Sequence, residues 1–231
     1  MAYGINLFNT QNQIMFSTEN ISYHFVGKYT ATNTTNFRLQ ASFSCTGIPL
    51  IFLDGQSGAA GVSILQLTNT SGTNWTATVA GRIPATGALT SLDIYVFAFP
   101  NAIPTTGYGI WAKDAFGQAT LNLQQKLLKL SGAFVTTASS SSSSNIPSNA
   151  TLLFGSIPTD YIVCSPILGQ QIVPAGPSSL LAGLSAKSAT STSVSFLSSY
   201  VYAPNFAPPG TNSYFLMGSQ YIMFADKSLY V

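Results

Sequence analysis

The chain has 231 residues, enough for one large β domain or two ordinary ones with a core each. Its hydrophobic content of 46 % comes in short runs, none near the roughly 18 residues of a spanning helix, and the opening Met1-Ala2-Tyr3-Gly4 carries no secretory pattern, so the expectation is a protein made in a cytoplasm without membrane insertion. Charged residues are only 6 %, against about 25 % in an average soluble domain, and the eight basic residues are dispersed, which excludes an electrostatic footprint for nucleic acid. Such a composition, rich in Thr, Ser and Asn, suits a surface covered by neighbours or one that meets a harsh exterior without charge.

In chain order, residues 3–16 read as a β-hairpin. Tyr3, Ile5 and Leu7, and then Ile14 and Phe16, flank the polar cluster Asn9 to Gln13 with the alternation of two strands joined by a tight turn. Strands follow at 21–26 and 37–43, at the continuous apolar run Leu50-Ile51-Phe52-Leu53, and at 62–67, 75–79 and 91–99. Turn chemistry separates them, as at Asp54-Gly55 and in the cluster Asn69 to Asn74. Residues 108–118, with Tyr108 and Ile110, form a second hairpin, and residues 121–130 fit either a short helix or a strand. The run Ser139 to Ser144 has no side chain able to bury area and reads as a surface loop. Strands are expected at 151–154, 161–164 and 193–202, a loop at 174–188, and a third hairpin at 214–224 with Tyr214, Ile222 and Phe224.

Several landmarks recur. Tyr3-Gly4-Ile5 returns as Tyr108-Gly109-Ile110, at an offset of 105, and Ile14-Met15-Phe16 returns as Ile222-Met223-Phe224, at an offset of 208. The strand ending in Pro100-Asn101 and Pro104 lines up at an offset of 104 with the one ending in Pro204-Asn205 and Pro208. A proline cannot donate to a sheet ladder, so each motif reads as a strand terminator. Together these landmarks indicate duplication. The expected architecture is all-β, two tandem β-sandwich-like units at 1–105 and 106–231, with β-hairpins before, between and after them.

Little in the chain points to catalysis. It has a single histidine, His24, and six acids, Glu19, Asp54, Asp93, Asp114, Asp160 and Asp226, with no nucleophile elbow, paired metal ligands or phosphate loop. His24 lies between Tyr23 and Phe25 and reads as half-buried or on a sheet face. Asp54 and Asp114 read as turn residues bonded to local backbone. Cys45 and Cys164 sit in apolar stretches and read as buried free thiols, although a disulfide between them is open if their Cα atoms come within about 7 Å. Trp75, beside the Asn69 to Asn74 turn, is the one aromatic residue placed to touch a glycan. The expectation is no enzyme, no cofactor and no metal.

The opening from Tyr3-Gly4-Ile5 and Leu7-Phe8-Asn9 to Gln13-Ile14-Met15-Phe16-Ser17 resembles the N-terminus of small tail-tip or minor tail proteins of long-tailed bacteriophages. The resemblance covers about 25 residues closely and the rest in general character. It implies a structural role in a virion, near the distal end of the tail, among other tail proteins. Hairpins with exposed edges fit that role, because an edge can add to a neighbour's sheet. A homo-oligomer is expected, and with tandem duplicated units a trimer would present six similar units. The alternatives are a receptor- or glycan-binding module at the tail tip and a capsid decoration protein.

Overall fold

The computed structural model describes residues 6–8, 14–17, 22–35, 38–55, 61–83, 87–100, 110–114, 116–137, 139–141, 150–175, 178–206, 213–216 and 219–231. The strands are, in order, β1 (Asn6–Phe8), β2 (Ile14–Ser17), β3 (His24–Thr35), β4 (Arg38–Ser44), β5 (Leu50–Asp54), β6 (Gly61–Ser71) and β7 (Asn74–Ile83). They continue as β8 (Gly87–Ala88), β9 (Ser91–Ala98), β10 (Trp111–Lys113), β11 (Ala119–Asn122), β12 (Leu130–Thr136), β13 (Ser139–Ser141) and β14 (Ala150–Gly155). The last are β15 (Tyr161–Cys164), β16 (Gly169–Ala175), β17 (Ser178–Thr190), β18 (Ser193–Phe206), β19 (Ser213–Leu216) and β20 (Tyr221–Asp226), before a 3-10 turn at Lys227–Tyr230.

One large sheet runs in the order β14-β12-β20-β15-β5-β9-β3-β4-β7-β6, with β8 beside β7. Its path curls back on itself. Ile64 of β6 forms a parallel bridge to Pro166, just past β15, and its N–H donates to the Ser165 carbonyl at 2.9 Å. A second sheet, β13-β19-β16-β17-β18, packs through β17 and β18 onto β6 and β7. Leu184, Ala186, Val194 and Phe196 thereby join Val62, Ala77 and Val79 in one core. The hairpins β1–β2 and β10–β11 form separate two-stranded sheets.

The apolar pattern accounts for this layering. In β4 every second residue is buried, so Leu39, Ala41 and Phe43 enter the core, as period-two alternation requires. Beyond Arg38 the outward row is polar and uncharged: Gln40 donates to Thr78 at 3.1 Å, Ser42 pairs with Thr76 at 3.1 Å and Ser44 donates to Asn74 at 2.5 Å. Cross-strand hydroxyl and amide pairs therefore line the part of this face between β4 and β7. In β5 and β9 both faces are covered. Ile51, Leu53, Ile94 and Val96 point into the main core, while Phe52, Tyr95 and Phe97 point the other way, beneath Phe25 and Tyr230. A strand buried on both faces reads as a continuous apolar run, which is what Leu50 to Leu53 shows.

The all-β class is as expected, with two sheets face to face, but several finer expectations are corrected. The boundary between residues 105 and 106 does not divide the large sheet: β5 pairs with β15, placing Leu53 opposite Val163. The first and second hairpins are both separate two-stranded sheets, but the other sequence repeats do not occupy equivalent places. Ile14-Met15-Phe16 lies in the small hairpin β1–β2, whereas Ile222-Met223-Phe224 lies in β20, between β12 and β15. Similarly, β9 is central in the large sheet, and its counterpart β18 is an edge strand of the other. Six equivalent units per trimer therefore have no basis in this fold. The third hairpin is not formed either, because β19 pairs with β13 and β16 while β20 belongs to the large sheet.

Local corrections have local causes. Ser139, Ser140 and Ser141 form β13 opposite Leu216, Phe215 and Tyr214, since ladder hydrogen bonds need only backbone; Ser142 to Ser144 lie outside the described residues. The expected loop at 174–188 is mostly strand, β16 and β17 pairing with Ala175 opposite Ser178, and Pro174 and Gly183 are both accommodated within the ladder. Strand β18 runs through Pro204, where the register shift between the Ser179–Phe206 and Leu181–Tyr202 pairs makes the bulge that proline tolerates. Residues 121–130 form neither one helix nor one strand: β11 ends at Asn122, a turn follows, and β12 begins at Leu130.

Gly155 ends β14 with φ of +71°, and an added Cβ would lie 1.9 Å from the Ser131 carbonyl oxygen. Gly155→Ala is expected to cost at least 2 kcal/mol by order of magnitude, about 1–2 for the left-handed backbone and the rest for displaced backbone. A urea denaturation midpoint unchanged from wild type would contradict this close approach.

Candidate functional site

Several titratable side chains are held in contacts that tie strands and turns together. His24 is buried: its Nε2 accepts the Asn122 N–H at 3.0 Å, so Nδ1 carries the proton and donates to the Ser22 carbonyl at 2.9 Å. Lys227 joins Asp54 at 3.3 Å and Asp160 at 3.2 Å. Burial pulls its ammonium down, but the Asp160 and Asp54 carboxylates outweigh that and raise its pKa. Asp54, expected to bond local backbone, is thus a buried partner of the C-terminal turn. Asp93 pairs with Lys28 at 3.2 Å and accepts from Thr30 at 2.8 Å. Asp226 caps the 3-10 turn by accepting the Ser228 N–H at 2.9 Å. Glu19 lies outside the described residues.

Both cysteines are free and buried, and burial pushes the Cys164 thiol up to about 12, away from thiolate chemistry. Among the described residues no three His, Cys, Asp or Glu side chains are grouped to hold a metal. Trp75 is half-buried, opposite Phe43 in the ladder, and its ring packs against the main core. It is not displayed as a stacking platform.

What the fold does display is apolar. In the β10–β11 hairpin, Asp114 Oδ1 accepts the N–H groups of Phe116 and Gln118, both at 2.8 Å, and the Gly117 N–H returns to the Asp114 carbonyl at 3.1 Å. This firmly bonded turn holds Phe116 out with 91 % of its surface exposed. Ile110, 65 % exposed, and Leu123 flank it at the hairpin base, joined by the Leu123 N–H to the Ile110 carbonyl at 3.1 Å.

The second apolar feature is β14. Among the described residues it pairs with β12 on one side only and ends the large sheet. Its sequence Ala-Thr-Leu-Leu-Phe-Gly leaves Leu153 and Phe154 each 49 % exposed, with Leu152 partly so. No charged residue occurs between Lys129 and Asp160. An apolar edge without charge or proline is the kind of edge that soluble monomers avoid.

The interface residues expected from the hairpins fare differently. Tyr3, Ile5 and Tyr108 lie outside the described residues. Leu7, Ile14 and Phe16 are in β1–β2, with Leu7 opposite Phe16, and Tyr214 is in β19 opposite Ser141 and Gln171. Ile110 is exposed at the base of the β10–β11 hairpin. Ile222 and Phe224 are corrected: β20 has strands on both sides, and the two side chains are fully buried in the core. Sequence reading passed over Phe116, although an aromatic residue between Asp114 and Gly117 is misplaced for a core. It also passed over the β14 edge, whose signal is the long uncharged stretch around it. No protein-family model, no curated protein and no solved structure matches this chain.

Proposed function

We propose that the chain is a structural component of a bacteriophage virion, a minor tail or tail-tip protein held by contacts with other tail proteins and with copies of itself. The observation that carries this reading is the β14 edge, uncharged and apolar, in a chain with 6 % charged residues. A neighbour's strand added there would satisfy the free backbone groups and cover Leu153 and Phe154 together. The Phe116 turn offers a second contact, since a nearly bare aromatic ring gains most when it enters a partner's pocket. The resemblance of residues 3–17 to tail-tip proteins points the same way.

The test is mass spectrometry of gradient-purified particles and of tails separated from heads. The chain is expected in the tail fraction. Its presence only in the unassembled lysate, or in hundreds of copies on the head, would overturn the reading.

A further inference from the structure

The β10–β11 hairpin is fastened to the large sheet through an acceptor that only a neutral imidazole supplies, and we propose that His24 is a proton-controlled latch which seats the hairpin when neutral and releases it when charged. The fastening is short. The Ser22 N–H donates to Thr120 at 3.0 Å, the Asn122 N–H to His24 Nε2 at 3.0 Å, the Phe25 N–H to Lys126 at 2.7 Å and the Leu128 N–H to Tyr23 at 2.8 Å. Of the four, only the Asn122 bond ends on a group that titrates near neutrality. Protonation places an N–H on Nε2, facing the Asn122 N–H. Two donors then confront each other where the ring is only 1 % exposed and water cannot take over either bond.

No unpaired carboxylate is described around the ring, and the Ser22 carbonyl at Nδ1 is the acceptor that favours an imidazolium. The opposite strand, β9, presents Ala98, and the segment on the other side presents Leu127. Charges on the packed elements are Lys126, whose ammonium reaches the Val231 carbonyl at 3.2 Å, Lys129, and Lys113 and Asp114 on the hairpin. The Asp114 carboxylate is engaged by its own turn, and Asp93 on β9 is paired with Lys28. The phenols of Tyr23 and Tyr230 are raised by burial and stay neutral. Burial likewise pulls the His24 imidazole below its ordinary value, partly offset by the Ser22 carbonyl. The seat is also poorly satisfied, since Trp111 Nε1, Thr120 Oγ1 and Gln125 Oε1 are buried without partners. Each such atom costs about 1–3 kcal/mol, which makes this the natural place for local opening.

The sign follows from linkage. A histidine whose pKa is lower in the closed state than in the open state binds fewer protons when closed. The latch is therefore fully effective above the ordinary value near 6.5, weakens as pH falls below it, and stops weakening once the closed-state ring itself charges. The role in presenting Phe116 and Ile110 to a partner rests on the assembly reading, whereas the latch itself does not.

Hydrogen exchange of the whole chain at pH 7.5 and pH 5, corrected for intrinsic rates, tests it. Amides of residues 111–122 are expected to lose protection by about tenfold per pH unit below the ordinary histidine value until the closed ring charges, while those of Tyr95 and Val96 are unchanged. In His24→Gln the side-chain oxygen can accept the Asn122 N–H at any pH, so the loss should vanish. An equal pH response in wild type and His24→Gln, or none in wild type, would overturn the latch. Should His24→Gln fail to fold, imidazole NMR of wild type decides: a proton on Nδ1 at pH 7.5 and titration below the ordinary value support the latch, and any other result overturns it. A latch that works in a protein absent from particles would refute the assembly reading alone.

Discussion

Tyr230→Ala is expected to destabilise the protein by about 3–5 kcal/mol, the usual cost of removing a buried aromatic ring. The ring is held between Phe97, edge-on at 4.8 Å between centroids, and Phe25, at 5.5 Å. Its hydroxyl donates to the Leu127 carbonyl at 3.1 Å and accepts the Lys129 N–H at 2.7 Å. One side chain thus seals the outer face of β9 and anchors the strand-free segment before β12. Tyr230→Phe separates the two contributions. It keeps the ring contacts, leaves Leu127 and Lys129 each short of a partner, and is expected to cost about 1–3 kcal/mol. Urea denaturation at constant slope measures both. Equal losses in the two variants would show that ring packing contributes little, contrary to the layered core.

The second large effect concerns assembly and leaves folding intact. Leu153→Lys with Phe154→Lys places two charges on an edge that has none and keeps them in solvent, so stability should change by no more than about 1 kcal/mol. Incorporation into particles should fall at least about tenfold, which corresponds to about 1.4 kcal/mol of lost contact energy. The same pair at Thr68 and Thr70, exposed on β6, serves as a control for charge alone. Incorporation unaffected by the β14 changes but lost with the control would move the contact to the β6 side of the sheet.

How far the fold could be read beforehand depended on how local each signal was. The alternation of Leu39, Ala41 and Phe43 and the unbroken run Leu50 to Leu53 report directly how many faces of a strand are buried, and both were legible. Pairing was not. Nothing local to Leu53 or Val163 says that they meet, because ladder hydrogen bonds are the same for every residue. The repeated Ile-Met-Phe misled for that reason: the tripeptide favours a strand, but whether it ends in a small hairpin or in the middle of the core is decided by its partners. Within the candidate surfaces, Ile110 was legible as part of a hairpin. Phe116 and Leu153 were obscured by a different rule, that a large apolar residue is expected inside.

The most direct measurement is a map of the assembled tail at a resolution that traces strands. An assembly role through β14 requires the free side of residues 150–155 to lie beside a strand of another chain, with Leu153 and Phe154 covered. A map in which this chain is present with β14 facing solvent, or in which the tail contains no copy of the chain, would contradict it.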